Sequence, residues 1–376
     1  MLYLDNAATT LKKPFSVYRS MIYNTLKNSV NAGHGGHFYS IRGAKGIYNA
    51  AEKISELIGA SDPENVTFTQ NATYALNLGI RGLVGAGEHI VTTCMEHNSV
   101  LRTINGLCEY TMVKADKEGM VDPDGIEKAI KPETKLIVVN HISNVCGTIQ
   151  KICEISKIAQ KYKIPFMVDA SQSIGTEEID VENTGIDMLA FSGHKGLMAP
   201  LGVGVLYVSD KVKLRPVITG GTGSDSKNLN QPEVLPDMLQ SGTMNTPAII
   251  ACGKAAEYIM KKGIMNIGDK ERYFALRFIE KIKNIDNIEV YGKTGEEGRN
   301  STVAFNIIGM DSTELAERLN DEYGICVRGG WHCAYPAHCA IGSEKSGAVR
   351  ASFGYFNTIY SSDKLADAVY RISKDC

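Results

Sequence analysis

The chain predicts an α/β fold: a large unit with a mainly parallel sheet flanked by helices, plus a smaller α+β unit towards the C-terminus. Three observations carry this. From residue 65 to residue 208, short apolar runs alternate with segments of helical period. Two apolar runs, 164–169 and 186–191, read as buried strands that stop at polar side chains. Beyond residue 250 the alternation gives way to paired helices and then a mixed order of strands and helices. The division this suggests is residues 15–250 for the large unit, with 1–14 and 251–376 in the small one.

Residues 2–5 read as a short strand and 6–10 as a turn of small residues. A helix is expected over 14–26 and a glycine-rich loop over 29–37. The next helix, 40–58, is stopped by Gly59. Strands at 65–69, 89–92 and 136–140 alternate with helices at 73–84, 99–108 and 152–162. After the two buried strands comes a further strand at 203–208. Glycine, proline and asparagine crowd 219–247, a long irregular stretch of the kind that is usually functional in a compact domain. Helices at 246–262 and 265–283 follow. The small unit then reads as strand 301–307, helix 312–323, strands 325–328 and 349–352, and helix 362–372. No internal repeat or low-complexity segment interrupts the chain.

Composition narrows the functional classes. A net charge of −2 over 376 residues favours neither nucleic acid nor an anionic membrane as partner. No apolar run approaches a membrane span, and residues 1–5 lack a basic region leading into an apolar one. Nine cysteines without regular spacing argue for a reducing cytoplasm rather than a disulfide framework.

The chemistry centres on Phe191-Ser192-Gly193-His194-Lys195. Ligands of open α/β sheets sit beyond the carboxyl ends of strands, and Lys195 follows such an end. Asp169 ends the preceding apolar run, so neighbouring strands would turn both groups to one crevice. A lysine that captures an aldehyde and an acid that holds a pyridinium nitrogen together suit pyridoxal 5'-phosphate. A solvated lysine and a turn-capping aspartate are the plain alternatives.

Other groups suit the same crevice. Residues 68–73 end a strand and open a helix, which offers backbone N–H groups to a phosphate near Ala72 and Thr73; a simple cap by Asn71 or Thr73 explains the pattern equally well. Ser192 and His194 offer further donors. Gly220-Gly221-Thr222-Gly223 reads as a tight turn, since no established phosphate-loop pattern is present. His97 follows a strand and opens a helix, where it either stacks on a planar ring or caps. Asn144 and Gln172 are loop amides with the same two readings, ligand or local bond.

The second chemical stretch is 328–339, Arg-Gly-Gly-Trp-His-Cys-Ala-Tyr-Pro-Ala-His-Cys. Two His-Cys pairs invite a zinc reading, but adjacent residues strain to share one metal, so no metal is expected. Cys333 sits in a polar, glycine-rich loop beside His332, a setting for an exposed and partly activated thiol. Arg350 interrupts a buried strand pattern, and a buried guanidinium needs an anion such as a substrate carboxylate.

Together these residues resemble the class V, or NifS-like, branch of fold-type I pyridoxal-phosphate enzymes, and within it the group II cysteine desulfurases and selenocysteine lyases. The resemblance runs from residues 3–8 through 68–77, 96–97, 143–145, 168–172, 192–195, 241–243, 328–336 and 350–358, in the family's order. It implies the transferase fold of that class. By the same resemblance Lys195 would hold the cofactor, Asp169 would pair with its ring nitrogen, His97 would stack on it and Gln172 would meet its ring hydroxyl. Ala72, Thr73, Ser192 and His194 would bind its phosphate, with Thr243 entering from the partner of a homodimer. Asn144, Ala8, Arg328 and Arg350 would surround the substrate. Cys333 would take sulfur from L-cysteine as a persulfide, leaving L-alanine, for delivery to an acceptor protein. Selenocysteine lyase, class V aminotransferase and a non-catalytic scaffold for a sulfur carrier are the competing readings.

Overall fold

The structure is a computed structural model and describes residues 1–32, 35–224 and 227–375. Parts of two expected segments, residues 33–34 of the glycine-rich loop and 225–226 of the irregular stretch, lie outside the described residues. The first elements are β1 (Leu2–Tyr3), α1 (Phe15–Lys27), α2 (Phe38–Ile58), β2 (Val66–Thr69), α3 (Ala72–Leu83), β3 (His89–Thr93), α4 (Asn98–Ile104) and β4 (Glu109–Val113). Next come α5 (Pro123–Lys128), β5 (Thr134–Asn140), α6 (Ile152–Tyr162), β6 (Phe166–Asp169), α7 (Val181–Thr184), β7 (Met188–Ser192) and β8 (Gly204–Val208). The remainder is α8 (Thr246–Lys262), α9 (Ile264–Ile282), β9 (Ile288–Tyr291), β10 (Thr302–Ile307), α10 (Ser312–Tyr323), β11 (Ile325–Cys326), α11 (Tyr335–Ile341), β12 (Val349–Ser352) and α12 (Ile359–Ser373).

Seven strands form the large sheet in the order β2-β8-β7-β6-β5-β3-β4, and only β8 runs against its neighbours. Side chains alternate between its faces. Ile137, Val139, Phe166, Val168, Leu189 and Phe191 join one buried cluster, while Leu136, Val138, Met167, Met188 and Ala190 join the other. Burial on both faces explains why these strands read as continuous apolar runs. The small unit is an antiparallel sheet, β12-β10-β9, with Phe278, Phe305 and Phe353 in its core. Leu4, beside β1, packs into this second core, which ties the N-terminus to the C-terminal unit.

The expected division near residue 250 falls inside α8. Buried residues of α8 from Ala248 to Ile259 pack with the large sheet's core, as does Ile267 on α9. The small unit's core begins at Phe274, so the change of partner occurs along α9. A helix with an apolar stripe follows the surface that buries it, and composition does not mark that switch. The structure also adds β4, α5, α7, β9 and α11 to the expected elements. Edge strand β4 carries mostly exposed or half-buried residues, which leaves it no apolar run to detect.

Candidate active site

Strands β5, β6 and β7 end side by side, with Asn140 opposite Asp169 and Asp169 opposite Ala190. Beyond that edge lies a cavity of about 290 Å³. Lys195, Asp169, His97, Asn144, Gln172, Ala72, Thr73, Ser192 and His194 all line it. Residues far apart in sequence thus converge because strand ends do. Asn140, Ser99 and Ser171 line it as well, although their sequence context gave no sign of it.

The turn carrying Lys195 is fixed by its backbone. Gly193 N–H donates to the Val203 carbonyl at 2.9 Å, and Ala199 N–H to the Gly193 carbonyl at 2.8 Å. The N-terminal segment locks it from outside: Thr10 N–H meets the His194 carbonyl at 3.0 Å, and Thr10 Oγ1 donates to the Lys195 carbonyl at 2.8 Å. Burial lowers the Lys195 amine to about 8; the Asp169 carboxylate opposes this and Arg350 adds to it. Near neutral pH the amine therefore sits close to the point where it gives or takes a proton.

On the opposite wall, Asn71 caps α3 by accepting the Tyr74 N–H at 3.1 Å. Ala72 N–H donates to Ser192 Oγ at 3.1 Å, joining the helix N-terminus to the end of β7. Thr73 Oγ1 lies 2.8 Å from Ser99 Oγ. His194 has its buried Nδ1 without a protein partner, and burial lowers its pKa to about 4. His97 both caps α4, accepting the Ser99 N–H at 3.0 Å, and lines the cavity. Burial, then the Lys195 charge, lowers it to about 4, so the ring is neutral and flat-faced. The preceding residue, Glu96, is fully buried and raised to about 8, a neutral acid that accepts from Thr93 Oγ1 at 2.6 Å. Gln172 Nε2 donates to the Ala7 carbonyl at 3.0 Å. A planar ring carrying a phosphate fits this donor set: a helix N-terminus, hydroxyls, an orphaned imidazole nitrogen, a carboxylate and a deep amine.

The remaining expected residues lie around the cavity rather than on its wall. Arg350 is buried, with Nη1 donating to the Asn144 carbonyl at 2.9 Å and Nη2 to Asp5 Oδ1 at 2.8 Å. Its Nε is buried without a partner. Arg328 is exposed, its Nε 3.6 Å from the same Asp5 carboxylate, and Ala8 is half-buried in the N-terminal turn. The role of Asp5 was invisible in sequence, where it only ends a strand. Thr243 is exposed and lines another cavity, of about 660 Å³, that also reaches His194 and Asn71. Cys333 is exposed, and its carbonyl accepts the Asn98 N–H at 2.7 Å beside His97.

His332, expected beside an exposed and partly activated thiol, is itself buried, and burial pushes its pKa well below the ordinary value. Its ring nitrogens face the Arg328 carbonyl and His338 instead. Among the described residues, no cluster of three or more His, Cys, Asp or Glu could hold a metal ion, and no helix is long and apolar enough to cross a membrane.

A sequence model of the aminotransferase class-V family matches residues 2–365. The chain belongs to that family. Among class-V relatives, a probable cysteine desulfurase of Methanothermobacter thermautotrophicus is 37% identical, covering 99% of this chain and 94% of the relative. A cysteine desulfurase of Haloferax volcanii is 31% identical, covering 98% and 88%. The apo structure of cysteine desulfurase from Thermococcus onnurineus NA1 superposes with a TM-score of 0.93 at 32% identity, covering all of this class-V chain and 95% of that one.

Proposed function

We propose that the chain is a cysteine desulfurase that uses pyridoxal 5'-phosphate and moves the sulfur of L-cysteine onto Cys333, releasing L-alanine. One observation carries the reading. A buried amine and a carboxylate share a strand-end cavity, while an exposed thiol sits on a loop tied to the same cavity through Asn98 and Asn144. The curated relatives' names support it.

Lys195 would hold the cofactor, with Asp169 at its ring nitrogen and His97 against its face. The Ala72 and Thr73 end of α3, Ser192 and His194 would hold its phosphate, and Gln172 its hydroxyl. When bound, the cofactor withdraws electrons from the substrate α-carbon. The residues then divide the work. Arg350 and Asn144 orient the substrate carboxylate. Lys195, near its titration point, moves a proton between the α-carbon and its surroundings. The Cys333 thiolate attacks the substrate sulfur; the S–S bond forms as the C–S bond breaks, and the carbon fragment gains a proton to become alanine.

The reading extends to a homodimer in a reducing, cytoplasmic compartment, with a separate protein taking the sulfur. Exposed Phe15, Ile22 and Leu26 on α1 and Phe38 and Ile41 on α2 support a large subunit contact. Exposed Thr243 would meet the partner's phosphate site there.

The test is peptide mass spectrometry after incubation with cysteine and no acceptor. One added sulfur should map to Cys333. Cys333→Ala should lose it while still binding cofactor, and Lys195→Ala should lose turnover altogether. An adduct on Cys339, or wild-type desulfuration by Cys333→Ala, rejects the nucleophile. Activity on selenocysteine alone in Cys333→Ala would favour a lyase.

A further inference from the structure

Away from the cavity, the Cys333 loop rests on a buried chain of side chains. His332 directs Nε2 at the Arg328 carbonyl, 3.2 Å away, and Nδ1 at His338 Nε2, also 3.2 Å away. His338 Nδ1 faces the Ser343 hydroxyl at 2.7 Å. The two rings lie nearly parallel, centroids 5.3 Å apart and planes within 20°, which suits a hydrogen bond between their facing nitrogens. All three side chains are buried. A carbonyl only accepts, so His332 Nε2 carries its hydrogen and Nδ1 accepts. His338 Nε2 must then donate, leaving its Nδ1 to accept from Ser343. A single tautomer of each ring satisfies the whole chain.

The loop needs such support. His332 and Cys333 are consecutive non-glycine residues at φ 48° and 58°. That left-handed conformation is disfavoured for side-chain-bearing residues and persists where surroundings over-determine it. Two bonds restrain the backbone: Asn144 Nδ2 to the His332 carbonyl at 2.8 Å, and Asn98 N–H to the Cys333 carbonyl at 2.7 Å. The histidine chain restrains the side chain between them. Helix α11 supplies His338, and Gly342 at φ 85° ends that helix and returns Ser343 beneath it.

We propose that His338 and Ser343 are positioning residues that hold the Cys333 turn in its left-handed form and so present the thiol to the substrate sulfur. This rests on the reading of Cys333 as the sulfur-accepting thiol. Neither residue touches substrate; they act through His332. A fixed thiol attacks at high effective concentration, whereas a relaxed turn has to search for the same geometry.

The test uses cofactor-loaded enzyme with His338→Leu, His338→Gln and Ser343→Ala. The Gln amide places a donor where His338 Nε2 stands, so it preserves the bond to His332 and loses the link to Ser343. Readouts are kcat and KM for alanine release from cysteine, and the rate of Cys333 alkylation by iodoacetamide. We expect kcat to fall about tenfold in His338→Leu and about threefold in Ser343→Ala, with KM within about twofold, because the residues that bind substrate are unchanged. His338→Gln should recover most of kcat, and the alkylation rate should shift in His338→Leu and return in His338→Gln. Wild-type kcat in both His338→Leu and Ser343→Ala overturns the proposal. So does a His338→Gln no better than His338→Leu. If His338→Leu does not fold, wild-type kcat in Ser343→Ala overturns it by itself. A Cys333→Ala control separates the two readings: wild-type turnover there removes the nucleophile, while loss there with normal turnover in both His338→Leu and Ser343→Ala removes only the positioning role.

Discussion

Arg350 has two of its nitrogens committed, to Asp5 and to the Asn144 carbonyl, and its Nε is buried and unpartnered. A buried donor left unpaired costs about 1–3 kcal/mol, which a carboxylate arriving at Nε would relieve. Arg350→Lys keeps the charge and loses the fork. We expect a loss of about 1.5–3 kcal/mol in cysteine binding, read as a KM increase of about 10- to 150-fold. An unchanged KM would place the carboxylate elsewhere. At this scale the sequence named most of the cavity, because Lys195, Asp169 and His97 are unusual residues at strand ends. Asp5 escaped notice, since its partners Arg328 and Arg350 are over 300 positions away and only folding joins them.

Among the elements, β8 supports the site from behind, where it meets the cap of α3. Gly204 opens that strand, paired with Thr69 of β2 on one side and Ser192 of β7 on the other. A Cβ added there would lie 2.3–2.6 Å from the Asn71 backbone, the cap of α3. Gly204→Ala should therefore push the helix N-terminus away from Ser192. We expect about 1–3 kcal/mol of destabilisation in urea, with weaker cofactor retention. Gly221→Ala, which meets open space, should shift stability by less than about 0.5 kcal/mol. Equal effects from the two substitutions would show that the close approach is not essential. The strand was legible in the sequence. Its reversed direction and the contact that requires glycine were not, because both depend on what lies beside it.

For the whole molecule, buried titratable groups set a pH optimum of stability. Burial lowers His97, His141, His194 and His338 from 6.5 to about 4. As pH falls below 6.5 the unfolded chain takes up protons that these folded imidazoles refuse, so their contribution declines. Burial raises Glu96 and Glu271 from 4.5 to about 8. Those folded carboxyls keep protons the unfolded chain has lost, so their contribution declines as pH rises from 4.5 through 8. Below about pH 6.5 the imidazoles outnumber the carboxyls; above it the carboxyls dominate until the buried Lys195 and Lys13 amines, lowered to about 8, begin to oppose them. Urea unfolding across pH 4.5–8 should show greatest stability near pH 6.5, with a fall of about 2–4 kcal/mol by pH 4.5. A profile that is flat between pH 6.5 and pH 4.5 would contradict these ionisation states.

Read alone, the sequence was enough for the large, mainly parallel sheet, the crevice at its carboxyl edge and the presence of Lys195 and Asp169 on one cavity wall. Strand ends and apolar runs are local signals, written into a few consecutive residues. Tertiary structure decided where α8 packs, what Arg350 holds and what His332 does. His332 lay next to Cys333 in sequence and looked like its activating neighbour. In the folded chain its ring turns inward to His338, six positions on, and becomes part of a buried support. Adjacent residues share a backbone, but burial and hydrogen-bond partners decide where each side chain goes and whether it carries charge, and those come from the assembled fold.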